Sequence, residues 1–168
     1  FDDTFSARLD GFTVSGGNAD NSRGEILFLN SRPVNSSGGG GIYLTRGSFA
    51  INNTIIFHNS TAGSGGGLVV LSANPVITDV NIIRNRADRG GGMFNNGSSP
   101  NLTRVVIREN HAEITGGGMH NLFESNATLT AVSFFNNSSK SSGGAIYNQE
   151  SSPELFNVLI SGNSSLLG

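Results

Sequence analysis

Apolar positions along this chain fall into one figure that recurs without slipping, apolar-x-x-apolar-x-apolar-x-x-Asn. It is filled by Ile77, Val80, Ile82 and Asn85, then by Leu102, Val105, Ile107 and Asn110. Leu129, Val132, Phe134 and Asn137 repeat it, as do Leu155, Val158, Ile160 and Asn163. An earlier copy reads Ile51, Thr54, Ile56 and Asn59, and a truncated one near the start has Leu9, Phe12 and Val14 with Gly17 where Asn would stand. A second figure alternates with the first: Gly39-Gly40-Gly41-Ile42-Tyr43, Gly65-Gly66-Gly67-Leu68-Val69, Gly90-Gly91-Gly92-Met93-Phe94, Gly116-Gly117-Gly118-Met119-His120 and Gly143-Gly144-Ala145-Ile146-Tyr147, at spacings of 26, 25, 26 and 27. Period-two alternation rich in Val, Ile and Phe predicts strands. Three adjacent glycines argue against a helix, because each costs up to about 1 kcal/mol relative to Ala.

Each repeat therefore holds at least two short strands separated by turn clusters such as Asn74-Pro75, Ser98-Ser99-Pro100 and Ser151-Ser152-Pro153. Such a unit cannot bury its apolar face alone. Stacking copies at the ~4.8 Å strand spacing makes one continuous core and aligns equivalent residues in columns. The expected fold is all-β, a right-handed parallel β-helix of about six rungs with a repeat of about 26 residues, forming one domain over 1–168. Val80, Val105, Val132 and Val158 make one interior column, and Ile56, Ile82, Ile107, Phe134 and Ile160 another. Asn59, Asn85, Asn110, Asn137 and Asn163 form a ladder that satisfies turn backbone, and Asn95, Asn121 and Asn148 form a shorter one. Segment 18–38 breaks the register and reads as an inserted loop or lateral strand, a place where specificity can be carried. The rival is a leucine-rich repeat, which shares the Leu and Asn spacing. It would follow the Asn with more leucines on a helical return, whereas here Ser, Gly and charge lead into three glycines and a second strand.

Gly143-Gly144-Ala145-Ile146 and Phe134-Phe135-Asn136-Asn137 resemble the GGA[ILV] and FxxN pair of the polymorphic outer-membrane protein repeats of chlamydial autotransporters. The other copies depart from it, with Gly for Ala and Ile for Phe. Leu9-Asp10-Gly11-Phe12-Thr13-Val14-Ser15-Gly16-Gly17-Asn18-Ala19, followed by the interruption and then Gly-Gly-Gly-Ile-Tyr-Leu, is similar to β-helix modules of large secreted bacterial surface proteins. The resemblance implies export and display on a bacterial cell surface or release outside it. It specifies a fold far more than a function, since such repeats carry adhesins, stalks and some polysaccharide-active enzymes.

Composition narrows the classes. The chain has 168 residues, 24 Gly, no Cys and no Trp, with 13% charged residues and a net charge of −2. Lack of Cys excludes a disulfide scaffold and thiolate metal sites. The ten basic residues form no run, so there is no electrostatic footprint for nucleic acid. No apolar stretch is long enough to cross a bilayer, and no signal pattern opens the chain, so it reads as a mature product or a segment of a longer protein.

Chemistry is sought in the columns. The best catalytic alternative is the acidic pair Asp88 and Glu113, which aligns with Lys140; beside it runs a column of His58, Arg84, Glu109 and Asn136. Such a pair would serve a polysaccharide lyase or hydrolase, but its plain reading is a solvated turn with weak ion pairs. His58, His111 and His120 fall in three columns, so no zinc site is preformed, and no cofactor or metal is expected. The favoured reading is a non-enzymatic surface scaffold or adhesin segment. Its binding face would be an outward column of Tyr43, Val69, Phe94, His120 and Tyr147, with Tyr43, Phe94, His120 and Tyr147 as the ligand-contacting residues for a glycan or surface protein. A second outward set, Ile55, Phe57, Ile83, Val106, Phe135 and Leu159, is apolar enough for an interface. Neither end shows a capping helix or polar rung, so end-to-end self-association into a filament is a further alternative.

Overall fold

The structure, a computed structural model, describes residues 6–20, 26–29, 32–35 and 38–167. It is an all-β parallel solenoid with no helix among these residues, wound in about five turns of about 26 residues. Four parallel sheets run its length. The first stacks Ser6–Asp10, Ser48–Asn52, Val76–Thr78, Asn101–Thr103, Thr128–Thr130 and Glu154–Phe156. The second stacks Thr13–Ser15, Ile55–Phe57, Asn81–Ile83, Val106–Arg108, Ser133–Phe135 and Leu159–Ser161. Arg86–Arg89, His111–Thr115, Ser138–Ser139 and Ser164–Ser165 make the third, and the fourth runs from Ile42–Thr45 through Leu68–Leu71, Met93–Asn96 and Met119–Leu122 to Ile146–Gln149.

The nine-residue figure of the sequence is thus two strands, not one. It breaks at a single residue in the left-handed region: Asn53, Asp79, Arg104, Ala131 and Asn157, with φ between 47° and 56°. A second such column, His58, Arg84, Glu109 and Asn136, ends the second sheet. The first glycine of each triplet makes a third, as Gly90 does at φ 61°. One left-handed residue turns the chain sharply while its N–H still donates to the neighbouring turn, as Asp79 does to the Thr103 carbonyl at 3.1 Å and Glu109 to that of Phe135 at 2.9 Å. Corner and ladder are therefore compatible. No corner leaves the stack.

In-register stacking fills the interior with the expected columns. Ile56, Ile82, Ile107, Phe134 and Ile160 are Cα partners along the second sheet. Val80, Val105 and Val132 are fully buried and Val158 partly so, against Leu68, Met93 and Met119 of the fourth sheet. Each such side chain contributes roughly 1.5–3 kcal/mol by leaving water. The chain departs from this pattern after Asn18, which pairs with Ser60, and rejoins it at Gly38, which pairs with Ser64. Between them Ile26–Leu29 and Arg32–Asn35 form an antiparallel pair; residues 21–25, 30–31 and 36–37, like residues 1–5, lie outside the described residues.

Candidate functional site

The outward column of the fourth sheet is built as its alternation requires. Tyr43, Val69, Phe94, His120 and Tyr147 are successive Cα partners. Phe94 and His120 meet with ring centroids 5.1 Å apart, and His120 and Tyr147 at 4.9 Å, both tilted. The column is not bare. Val69 is 2% exposed, Phe94 6% and His120 2%.

What covers it is a second column five residues earlier in each turn. Gly38, Ser64, Arg89, Thr115 and Ser142 pair in sequence along the edge where the third sheet meets the fourth. Thr115 reaches His120 directly, with Oγ1 and Nδ1 2.9 Å apart. His120 Nε2 is buried without a partner, and desolvation, with the Arg89 charge nearby, pushes this imidazole down to about 4. Toward the start of the chain the covering residues shrink to Ser64 and Gly38, and a groove of about 370 Å³ opens there, near the lower end of the ~300–1,000 Å³ typical of ligand sites. Tyr43, Val69 and Phe94 are its floor, Leu71 and Asn96 one side, Ser64 and Arg89 the other. Burial pushes the Tyr43 hydroxyl up.

Of the four residues expected to contact a ligand, Tyr43 and Phe94 share this groove. His120 is sealed beneath Thr115, and Tyr147 lies beyond it, outside the lining. The sequence reading missed Arg89, Asn96 and Ser64. Ser64 and Arg89 stand five residues before the aromatic column and Asn96 two residues after it, offsets visible once strand pairing is known.

Asp88 and Glu113 sit on adjacent turns of the third sheet, where the register slips between Ala87 and Arg89 because the later strand carries an extra residue. Glu113 accepts from Lys140 at 2.5 Å and from Arg86, with His111 at 3.4 Å. The Lys140 hydrogen bond, aided by the Arg86 charge, holds its carboxyl below the usual range. That is the reverse of what a general acid needs near neutral pH. Similar pairs join Arg84 to Glu109 at 2.5 Å and Arg104 to Asp79 at 2.7 and 2.8 Å, one turn to the next.

The apolar set on the second sheet resolves into two columns. Ile55, Val106 and Leu159 alternate with Asn81 and Ser133, while Phe57, Ile83 and Phe135 are interrupted by Arg108 and end at Ser161. Ile55 and Leu159 are exposed and the other four half-buried. No group of three or more metal-binding side chains gathers among the described residues, and no helix there is long and apolar enough to cross a membrane.

Neither a curated protein nor a solved structure matches the chain. Residues 131–149 match the model of the Chlamydia polymorphic membrane protein repeat, a stretch that contains both Phe134-Phe135-Asn136-Asn137 and Gly143-Gly144-Ala145-Ile146. With the parallel solenoid built around that match, the chain carries a β-helix repeat of the polymorphic membrane protein type, which points to a protein of the bacterial surface.

Proposed function

We propose that this solenoid is a non-enzymatic scaffold displayed on a bacterial surface, which binds glycan through the groove of the fourth sheet. The observation that carries the reading is the narrowing of the covering column. Along that column Arg89 gives way at the near end to Ser64 and then to Gly38, and there the half-buried Tyr43 is left accessible beside polar groups. Aromatic platforms with a few convergent polar groups suit the flat apolar faces and hydroxyl rims of sugars. The ion-paired Glu113 fits a structural role better than catalysis.

A groove-filling variant tests this. A Cβ on Gly38 meets nothing closer than 3.6 Å, and one of those atoms is Cε2 of Tyr43, so Gly38→Phe lays a ring over the floor without disturbing the backbone. Glycan binding measured by calorimetry is expected to vanish in Gly38→Phe with the circular dichroism unchanged. Undiminished binding would place the ligand elsewhere.

A further inference from the structure

Charge in the groove specifies the ligand further, on the footing that the groove is the binding site. Five arginines are committed, Arg8 to Asp10, Arg84 and Arg108 to Glu109, Arg86 to Glu113 and Arg104 to Asp79, while the exposed Arg46 lies outside the groove's lining. Arg89 has no carboxylate partner among the described residues, and it is the one that lines the groove. No acidic side chain shares that lining. The other groups there, Ser64 and Asn96, are neutral hydrogen-bonding side chains. An exposed guanidinium without a carboxylate partner beside the half-buried Tyr43 is a receptor for a planar anion, because its fork matches a carboxylate bidentately.

We infer that the groove takes a carboxylated saccharide, with the sugar face on Tyr43, its carboxylate on Arg89 and its hydroxyls on Ser64 and Asn96. An acidic peptide would satisfy Arg89 equally, but the groove is a short pit closed by Thr115 over His120, which suits a ring better than an extended chain. Two neighbouring positions sharpen the assignment. Val69 between Tyr43 and Phe94 keeps the floor low, and the neutral His120 adds no second positive charge behind Arg89.

Calorimetric titration with uronic-acid tetrasaccharides, with neutral hexose tetrasaccharides of the same linkage and with a glutamate-rich peptide tests the assignment. The uronates are expected to bind at least about tenfold more tightly than their neutral counterparts, a preference that shrinks as salt rises. Arg89→Gln should bring the two sugar classes level, while Arg84→Gln, whose partner Glu109 lies on a different corner, should leave the preference intact. Equal binding of acidic and neutral sugars, lost together in Gly38→Phe, would overturn the acidic ligand and keep the glycan groove. Binding of the peptide as tight as that of the uronates would overturn the saccharide, and no binding by any probe would overturn both readings.

Discussion

One asparagine per turn closes the second corner, and it does so by several bonds at once. Asn110 donates through Nδ2 to Asn137 Oδ1 at 2.9 Å and to the Ile82 carbonyl at 3.0 Å. It accepts from the backbone N–H and side-chain Nδ2 of Asn85 at 2.9 and 3.0 Å. All of this is buried, so Asn110→Ala strands donors and acceptors on both neighbouring turns. Each costs about 1–3 kcal/mol, and the urea midpoint is expected to fall by the equivalent of about 3 kcal/mol or more. At the neighbouring corner the strain runs the other way. Ala131 is an exposed alanine held at φ 54°, a conformation costing a non-glycine residue roughly 1–2 kcal/mol. Ala131→Gly is expected to raise the same midpoint by about 1 kcal/mol.

His120 sets a pH dependence at this same scale. Its folded-state value of about 4 lies below the ordinary 6.5, so the unfolded chain takes up a proton that the folded chain refuses. Stability is therefore complete above about pH 6.5 and declines as pH falls toward 4, by roughly 3 kcal/mol in all. Glu113 and Glu109, held below the usual carboxylate range, add their losses only at lower pH. His120→Phe continues the ring stack of Phe94 without a titrating group, and denaturation curves between pH 7 and 5 should show a slope in the parent that is absent in the variant.

At the scale of the element, the glycine triplets show why one turn resembles the next so closely. A Cβ on Gly91 would sit 2.4 Å from the His111 carbonyl and 2.6 Å from that of Gly117, both backbone atoms that cannot move aside. Gly91→Ala is expected to cost several kcal/mol, above the ~1–3 of ordinary overpacking, whereas Gly38→Ala should leave the melting temperature unchanged. The triplets, the interior columns and the Asn ladders were legible because parallel stacking turns a fixed spacing into a fixed contact. The left-handed corners at Asp79, Arg104 and Glu109 were not, since charged residues there carry no turn signature of their own. A third ladder also escaped notice. The Ala73, Ser98 and Ser125 amides donate to the Ser98, Ser125 and Ser151 hydroxyls, which read in sequence as an ordinary polar turn. The groove was half legible: Tyr43 and Phe94 announce themselves as aromatics, but the residues that bare or cover them belong to another sheet.

Across the whole molecule, burial comes from the neighbouring turn. Leu129 and Phe134 are 0% exposed, whereas their partners one turn later, Leu155 and Ile160, are 43% and 50% exposed. A regular stack of this kind assigns nearly every repeated position to packing, hydrogen bonding or corner geometry. Function is left to the places where the repeat varies, and the step from Arg89 through Ser64 to Gly38, beside the half-buried Tyr43, is one such variation. The insert rejoins the stack at Gly38, itself part of the groove's lining.

The most direct test of this account is amide chemical-shift mapping of the labelled protein during titration with uronic-acid tetrasaccharides. Perturbations confined to Tyr43, Ser64, Val69, Arg89 and Phe94, with Ile55, Ile83 and Phe135 silent, are what the groove predicts. Shifts clustered on the second sheet instead, around Ile55, Phe57 and Leu159, would contradict it.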